Sequence, residues 1–319
     1  MDKARELVKL LGRSDDYFER QKAAWALVNL GEAAIDEVAG ALESGEFSDL
    51  RYKSAWILGK IGSPRAVEPL CRAMLNDPDH VVREWCAAAL EAVKSQDAAP
   101  ALVLAMKNDS SKDVRLRAAV ALRSIGATEA LRELLSHSEP ETRGMAITGL
   151  AKIRHRQSLP DVVRLMQDEE AEVRRRAAAF VGEAFTGEPA CSDALSCLAR
   201  ALQDKEGAVR CEALKSLGKI KGEEACDLAL QALKDGDWNV RYTAVTTLGE
   251  IGHNKALDPL VEVMFGREDE EVRAWAAWSL GEIRDERATE PLERAYRTCP
   301  TEVMKKARDS LNEVFGKEI

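Results

Sequence analysis

The chain is poor in the residues that catalytic and metal sites draw on most. Its 319 residues include four histidines, His80, His137, His155 and His253, and no two have the i, i+4 spacing of a helical ligand pair. There is no GxSxG nucleophile elbow and no GxxxxGK[ST] phosphate loop. Carboxylate runs such as Asp269-Glu270-Glu271 read as solvated helix starts, not as acid/base pairs. No catalytic residue, metal or cofactor is implied. No apolar run approaches the roughly 18 residues needed to span a bilayer, so no membrane role is expected. The seven cysteines (Cys71, Cys86, Cys191, Cys197, Cys211, Cys226, Cys299) are odd in number and lack CxxC spacing. They read as reduced, buried thiols. Met1 to Leu11, MDKARELVKLL, reads as an amphipathic helix start without a signal-peptide core, and a cytoplasmic location is the expectation. With 46 Lys+Arg against 55 Asp+Glu the formal charge is −9. That balance disfavours a dedicated nucleic-acid binder, whose affinity comes from basic contacts to phosphate.

What the chain does have is a repeat. An arginine returns at Arg20, Arg51, Arg83, Arg115, Arg143, Arg174, Arg210, Arg241 and Arg273, with successive spacings of 31, 32, 32, 28, 31, 36, 31 and 32. A fixed period in this range marks stacked units that bury apolar faces against their neighbours. With the arginine as position zero, +3 holds Ala23, Ser54, Cys86, Ala118, Ala146, Ala177, Ala213, Ala244 or Ala276. Position +7 is Leu, or Val181 once, position +10 is mostly Ile, and −1 is repeatedly Val. These positions share one face of a helix. Gly31, Gly62, Gly126 and Gly252 then terminate it. A second apolar run follows, carrying Pro69, Pro100, Pro160, Pro259 or Pro291, and a proline inside a helix is expected to bend it. Asp77, Asp109, Asp168, Asp204 and Asp235, six residues before an arginine, are positioned to ion-pair with a repeat arginine within or between units.

The segments Val240-Arg241-Tyr242-Thr243-Ala244, Leu248-Gly249-Glu250-Ile251-Gly252 and Ala256-Leu257-Asp258-Pro259-Leu260 resemble the HEAT-repeat family, and most closely its phycobilisome-lyase type. The resemblance covers roughly Asp16 to Phe315. It implies an all-α, right-handed α-solenoid of about nine helix pairs plus a C-terminal partial repeat. A single solenoid over 1–319 is expected, with a capping helix at 1–15, repeats at 16–300 and a cap at 301–319. In that cap Lys305 replaces the arginine, and Lys306, Arg308 and Lys317 keep the surface polar. The long spacing between Arg174 and Arg210 reads as a lengthened turn near Thr186 to Ser192. In the iron-binding HEAT enzymes a His-Glu pair follows the arginine. No His-Glu stands at +1 and +2 here, which sets di-iron chemistry aside.

The family resemblance also implies that the arginine helix lines a concave wall. Positions +1, +2, +5 and +9 then face away from the core, where an exposed helix should be polar. Here +5 holds Trp25, Trp56 and Trp278, +2 holds Trp85 and Trp275, and +1 holds Tyr52 and Tyr242, in a chain with 5% aromatics. Between these clusters the same positions hold Arg117, Arg175, Arg176, Lys215 and Lys219. The expectation is a groove with aromatic ends and a basic middle that holds an acidic or amphipathic segment of a protein partner. Packing of the rings against the adjacent repeat is the other reading. The expected function is a non-enzymatic scaffold or adaptor, although the question of an enzyme stays open. The alternative is a phycobilin-lyase-type protein that holds a tetrapyrrole. A base-recognising HEAT-like glycosylase is disfavoured by the acidic total.

Overall fold

The computed structural model describes residues 2–14, 16–187, 191–314 and 316. Glu188 to Ala190 of the expected lengthened turn, and Phe315 and Lys317 of the expected cap, lie outside the described residues. Among the described residues all regular structure is helical, and the architecture is an α-solenoid. The helices fall into two compact units, residues 1–153 and 154–319.

The first unit holds α1 (Asp2–Arg13), α2 (Tyr17–Leu30), α3 (Ile35–Ser44), α4 (Ser48–Ile61), α5 (Val67–Asn76), α6 (His80–Val93), α7 (Ala99–Asn108), α8 (Lys112–Ser124), α9 (Thr128–Leu134) and α10 (Pro140–Lys152). The second holds α11 (Leu159–Arg164), α12 (Ala171–Ala184), α13 (Ser192–Ala201), α14 (Gly207–Ile220), α15 (Glu223–Gln231), α16 (Trp238–Ile251), α17 (Leu257–Phe265), α18 (Glu270–Ile283), α19 (Thr289–Thr298) and α20 (Thr301–Glu313). Each even-numbered helix carries the repeat arginine, or Lys305 in α20. Within each unit consecutive arginine helices pack side by side; consecutive odd-numbered helices do so throughout the first unit, and α13 with α15 and α17 with α19 in the second. α9 has only seven residues, which absorbs the short spacing between Arg115 and Arg143.

Local chemistry sets the helix ends. The Asp16 carboxylate accepts from the Phe18 and Glu19 amides, Asp79 from Val81, and Asp237 from Asn239, so each caps a helix start. At the other end position +11 turns left-handed in every repeat but that of Arg174, where Phe185 has φ −112°. Gly62 (φ 70°) and Gly252 (φ 71°) fill it without strain, whereas Lys94 (φ 58°) and Arg284 (φ 57°) adopt it against their Cβ.

Positions +3 and +7 are buried in every repeat, and −1 wherever it is valine, with Val82, Cys86 and Leu90 all fully enclosed in α6; position +10 is only half-buried at Leu30, Ile61, Val93 and Ile153. The buried face is wider than that pattern. Position +4 (Ala55, Ala87, Ala178, Val245) and position +6 (Ile57, Ala89, Phe180, Ser216, Ser279) are also enclosed, against the neighbouring arginine helices. Glycine at +8 sets how closely these helices approach. A Cβ on Gly59 would lie 2.8 Å from the Ala89 Cα, and one on Gly249 2.8 Å from the Ser279 Oγ. The serines opposite these glycines reach across the seam. Ser216 Oγ donates to the Ala178 carbonyl at 2.9 Å, and Ser279 Oγ to the Val245 carbonyl at 2.8 Å.

The prolines do not act as expected. Pro100 and Pro160 are second residues of α7 and α11, and Pro69, Pro259 and Pro291 are third residues of α5, α17 and α19. A short 3-10 turn precedes each of these helices. In the first helical turn a proline removes no intrahelical hydrogen bond, so the expected bend within the helix is not required.

The repeat arginines form a ladder. Arg51 holds Asp77 through Nε (2.7 Å) and Nη2 (3.0 Å), while its Nη1 donates to the Gly45 carbonyl at 3.0 Å. Arg174 does the same with Asp204 (2.6 and 3.0 Å) and the Asp168 carbonyl (2.8 Å). Arg210 holds Asp235 at 2.8 Å through both nitrogens. Each of these aspartates also caps its own turn by accepting an amide two residues on, as Asp77 does from Asp79 and Asp204 from Glu206. The aspartate side chain thus ties its repeat to the preceding arginine, and its carbonyl serves its own arginine. Where no acid stands six residues before the next arginine, a substitute appears. His137 leaves Arg115 to Glu141 (2.6 Å), and Arg267 leaves Arg241 to Glu268 (3.1 Å).

Candidate partner-binding faces

The outward positions of the arginine helices bring the sequence-predicted aromatics together, one group in each unit. In the first unit Trp25 on α2 meets Trp56 on α4 edge-on at 5.3 Å between ring centroids. Tyr52 on α4 stacks on Trp85 of α6 at 6.1 Å. Trp25 is 50% exposed and Trp85 38%, while Tyr52 and Trp56 are half-buried. In the second unit Trp238 and Tyr242 stack along α16 at 5.5 Å. Tyr242 meets Trp275 of α18 at 5.7 Å, and Trp275 meets Trp278 at 5.2 Å. The Lys306 ammonium of α20 lies 4.8 Å from the Trp275 ring, a cation–π distance. Rings on successive repeats therefore touch one another and keep part of their surface in water. On one side the rings pack against the adjacent repeat, and on the other they are open to solvent.

One carboxylate organises the first group. Asp49 accepts from the Tyr52 hydroxyl (2.6 Å), Lys53 Nζ (2.6 Å) and Arg20 Nη1 (3.3 Å). The bond to Asp49, followed by burial, pushes the Tyr52 phenol up to about 12. Burial works to raise the Asp49 carboxyl, but the bonds from Lys53 and Tyr52 outweigh it and hold the group below its usual range. A cleft of about 420 Å³ opens here between Tyr17, Arg20, Asp49, Tyr52, Trp56 and Trp85. A smaller slot of about 190 Å³ adjoins it between α4 and α6, lined by Trp56, Trp85, Gly59, Lys60, Ala88, Ala89 and Ala92.

The basic residues carry less free charge than their positions suggest. Arg117 lies 3.5 Å from Glu84 and 3.9 Å from Glu91 of the neighbouring α6. Arg175 holds Glu172 through two nitrogens and reaches Glu212 of α14 at 3.0 Å, and Arg176 holds Glu172 at 2.7 Å. The Arg175 bond lowers the Glu172 carboxyl to about 2 despite the opposing effect of desolvation. The acids were visible in the sequence, but their placement across helices was not.

Several contributors were missed. Leu116 at +1 of α8 is 50% exposed and stands where Tyr52 stands two repeats earlier; the shared position was the available signal. Tyr17, 58% exposed, lines the cleft from the first turn of α2. Two of the histidines, His137 and His253, cap turns. His137 Nδ1 accepts from the Glu139 amide, His253 Nδ1 from the Lys255 amide, and His155 Nδ1 lies 2.8 Å from Ser158 Oγ. The cysteines are all free thiols. Cys86, Cys197 and Cys226 are buried, Cys191 is exposed, and burial pushes Cys71 and Cys226 up to about 11. Among the described residues no helix is long and apolar enough to cross a membrane.

The HEAT repeats pattern matches residues 4–91, 35–123, 128–191, 184–235 and 227–312, and the chain belongs to the HEAT-repeat family. More particularly, a stretch of 106 residues is 34% identical to phycocyanobilin lyase subunit alpha of Picosynechococcus sp., covering 30% of this chain and 39% of that protein. The corresponding subunit of Nostoc sp. is 36% identical over 101 residues, covering 28% of this chain and 36% of that one. The chain thus spans well under half the length of the curated relatives it matches. Among solved structures, Kap95 in the Kap95:Nup1 complex is similar with a TM-score of 0.67 at 16% identity, over 99% of this chain and 52% of that one. Yeast importin-beta (Kap95p) is similar with a TM-score of 0.61 at 14% identity, over 98% and 49%. At such identities the likeness is one of fold.

Proposed function

We propose that this HEAT solenoid is a non-enzymatic scaffold that holds a protein segment against the outward faces of its arginine helices. The observation that carries the reading is the half-solvated chain of rings. Trp25, Tyr52, Trp56 and Trp85 line one face, and Tyr242, Trp275 and Trp278 line another. Large indole surfaces left partly in water on rigid helices are what binding hot spots are made of. Arg117, Arg175 and Arg176 stand on the same outward positions, but their acidic neighbours already take much of their charge, so they add to the rings and do not carry the reading. Kap95, similar in fold, forms complexes with Nup1 and with RanGDP, which supports a protein as the class of partner. The test is affinity capture with mass spectrometry, comparing wild type with a Trp56→Ala/Trp278→Ala double variant. A protein held by the wild type and lost by a well-folded double variant supports the reading. Equal capture by both contradicts it.

The second reading is a tetrapyrrole-holding protein of the phycobilin-lyase type, favoured by the local likeness to phycocyanobilin lyase subunit alpha. An absorbance shift on mixing the protein with a bilin would support it, and an unchanged spectrum would remove it.

A further inference from the structure

The slot between α4 and α6 has a shape and a charge that narrow the partner's chemistry. Gly59 and Ala89 let the two helices close together, and Ala88 and Ala92 add only methyl groups beyond them. The depression this leaves is bounded by the Trp56 and Trp85 indoles. Its volume of about 190 Å³ is below the range of roughly 300–1,000 Å³ for small-molecule sites and is on the scale of one large side chain. Exposed Lys60 lies at the slot with its ammonium 5.9 Å from the Trp56 ring, and among the described residues it has no acidic partner. The adjoining cleft adds Arg20 and Lys53 against one carboxylate, Asp49. Asp49 is already engaged by three donors, so the cleft keeps a positive balance in a chain whose total charge is −9.

Resting on the docking reading above, we propose that slot and cleft together read a short acidic-aromatic segment of the protein partner. A phenylalanine, tyrosine or tryptophan ring enters the slot between Trp56 and Trp85, where edge-to-face and stacked contacts are both available. An aspartate or glutamate beside it meets Lys60 and the Lys53 and Arg20 side of the cleft. The apolar wall selects the anchor, and the lysines select against basic flanks.

The probe is a set of fluorescein-labelled ten-residue peptides read by anisotropy: a central Phe flanked by Asp, the same peptide with Ala for Phe, and the same with Lys for Asp. The expected result is that either change weakens binding about tenfold or more. Ala92→Leu, which fills the slot from an exposed position, weakens the Asp-flanked Phe peptide to the same degree. Lys60→Glu weakens it and improves the Lys-flanked peptide. Both variants should melt with the wild type. Peptides that bind but ignore Ala92→Leu and Lys60→Glu overturn the slot while leaving the docking reading intact. No binding of any peptide also overturns it, and the capture experiment with Trp56→Ala/Trp278→Ala then judges the docking reading separately.

Discussion

Arg83 grips Asp109 of the next repeat through two parallel hydrogen bonds, at 2.7 and 2.9 Å, and its third nitrogen donates to the Asp77 carbonyl at 2.9 Å. The two side chains are only 11% and 6% exposed. Removing one partner of a buried pair strands the other, at a cost of about 3–5 kcal/mol. Asp109→Ala is therefore expected to destabilise the first unit by about 3 kcal/mol in urea unfolding. Asp36→Ala, which removes the exposed Arg65 pair (52% and 83% exposed), should stay within about 1 kcal/mol of wild type.

Acid should act through the same ladder. Burial tends to raise the Asp109, Asp204 and Asp235 carboxyls, but the bonds from Arg83, Arg174 and Arg210 outweigh it and hold all three below their usual value. A carboxyl depressed in the folded state contributes its full stability above its unfolded pKa of about 3.9 and loses it as the pH falls through the folded value. The melting temperature should be insensitive to these groups at neutral pH and fall steeply below about pH 4. Asp235→Asn should melt lower at neutral pH and show a shallower acid fall, measured by circular dichroism between pH 7 and pH 2.

Lys94 occupies at φ 58° the left-handed position that Gly62 fills in the preceding repeat at φ 70°. Lys94→Gly should gain up to about 1 kcal/mol and Gly62→Ala lose about as much, since only the residue with a Cβ is strained there. Thermal melts of the two single variants should move in opposite directions.

Gly249 sits directly on Ser279, and its missing side chain is what lets α16 and α18 come into van der Waals contact. A Cβ there would meet Ser279 Oγ, Cα and Cβ at 2.8–2.9 Å. Gly249→Val must push α16 and α18 apart and should cost about 1–3 kcal/mol. Ser279→Ala should cost about 1 kcal/mol through the lost bond to the Val245 carbonyl.

The period made Val82, Cys86 and Leu90 readable as core because each belongs to an apolar series repeated along the chain. The seam between arginine helices was harder to see. Gly249, Ser279 and Ala89 are small, and small residues carry little hydrophobic signal although they decide how closely helices pack. Asp109 could be read as an arginine partner, but Arg83 and Arg115 were equally plausible; the fold assigns the side chain to Arg83 and the carbonyl to Arg115. Pro69 looked like a kink because the pattern did not reveal the 3-10 turn that ends just before α5. Trp25 and Trp85 stood out as aromatics at polar positions. Their contacts with Trp56 and Tyr52 needed the spacing between helices.

Trp25 also separates docking from packing. It shares one edge with Trp56 and is half solvated, so Trp25→Ala should cost about 1 kcal/mol, near the value of an aromatic pair. Leu27→Ala, at a fully enclosed position two residues away, should cost about 2–5 kcal/mol.

The most direct measurement is site-specific photo-crosslinking to a captured partner. A benzophenone side chain is placed on exposed positions of the arginine helices, at Lys22 and Lys215, and on exposed positions of the odd-numbered helices, at Asp36, Glu68 and Asp227. Adducts from Lys22 or Lys215 and none from the odd-numbered helices are the predicted result. Adducts only from Asp36, Glu68 or Asp227 would contradict the account, because the partner would then sit on helices that carry none of the rings.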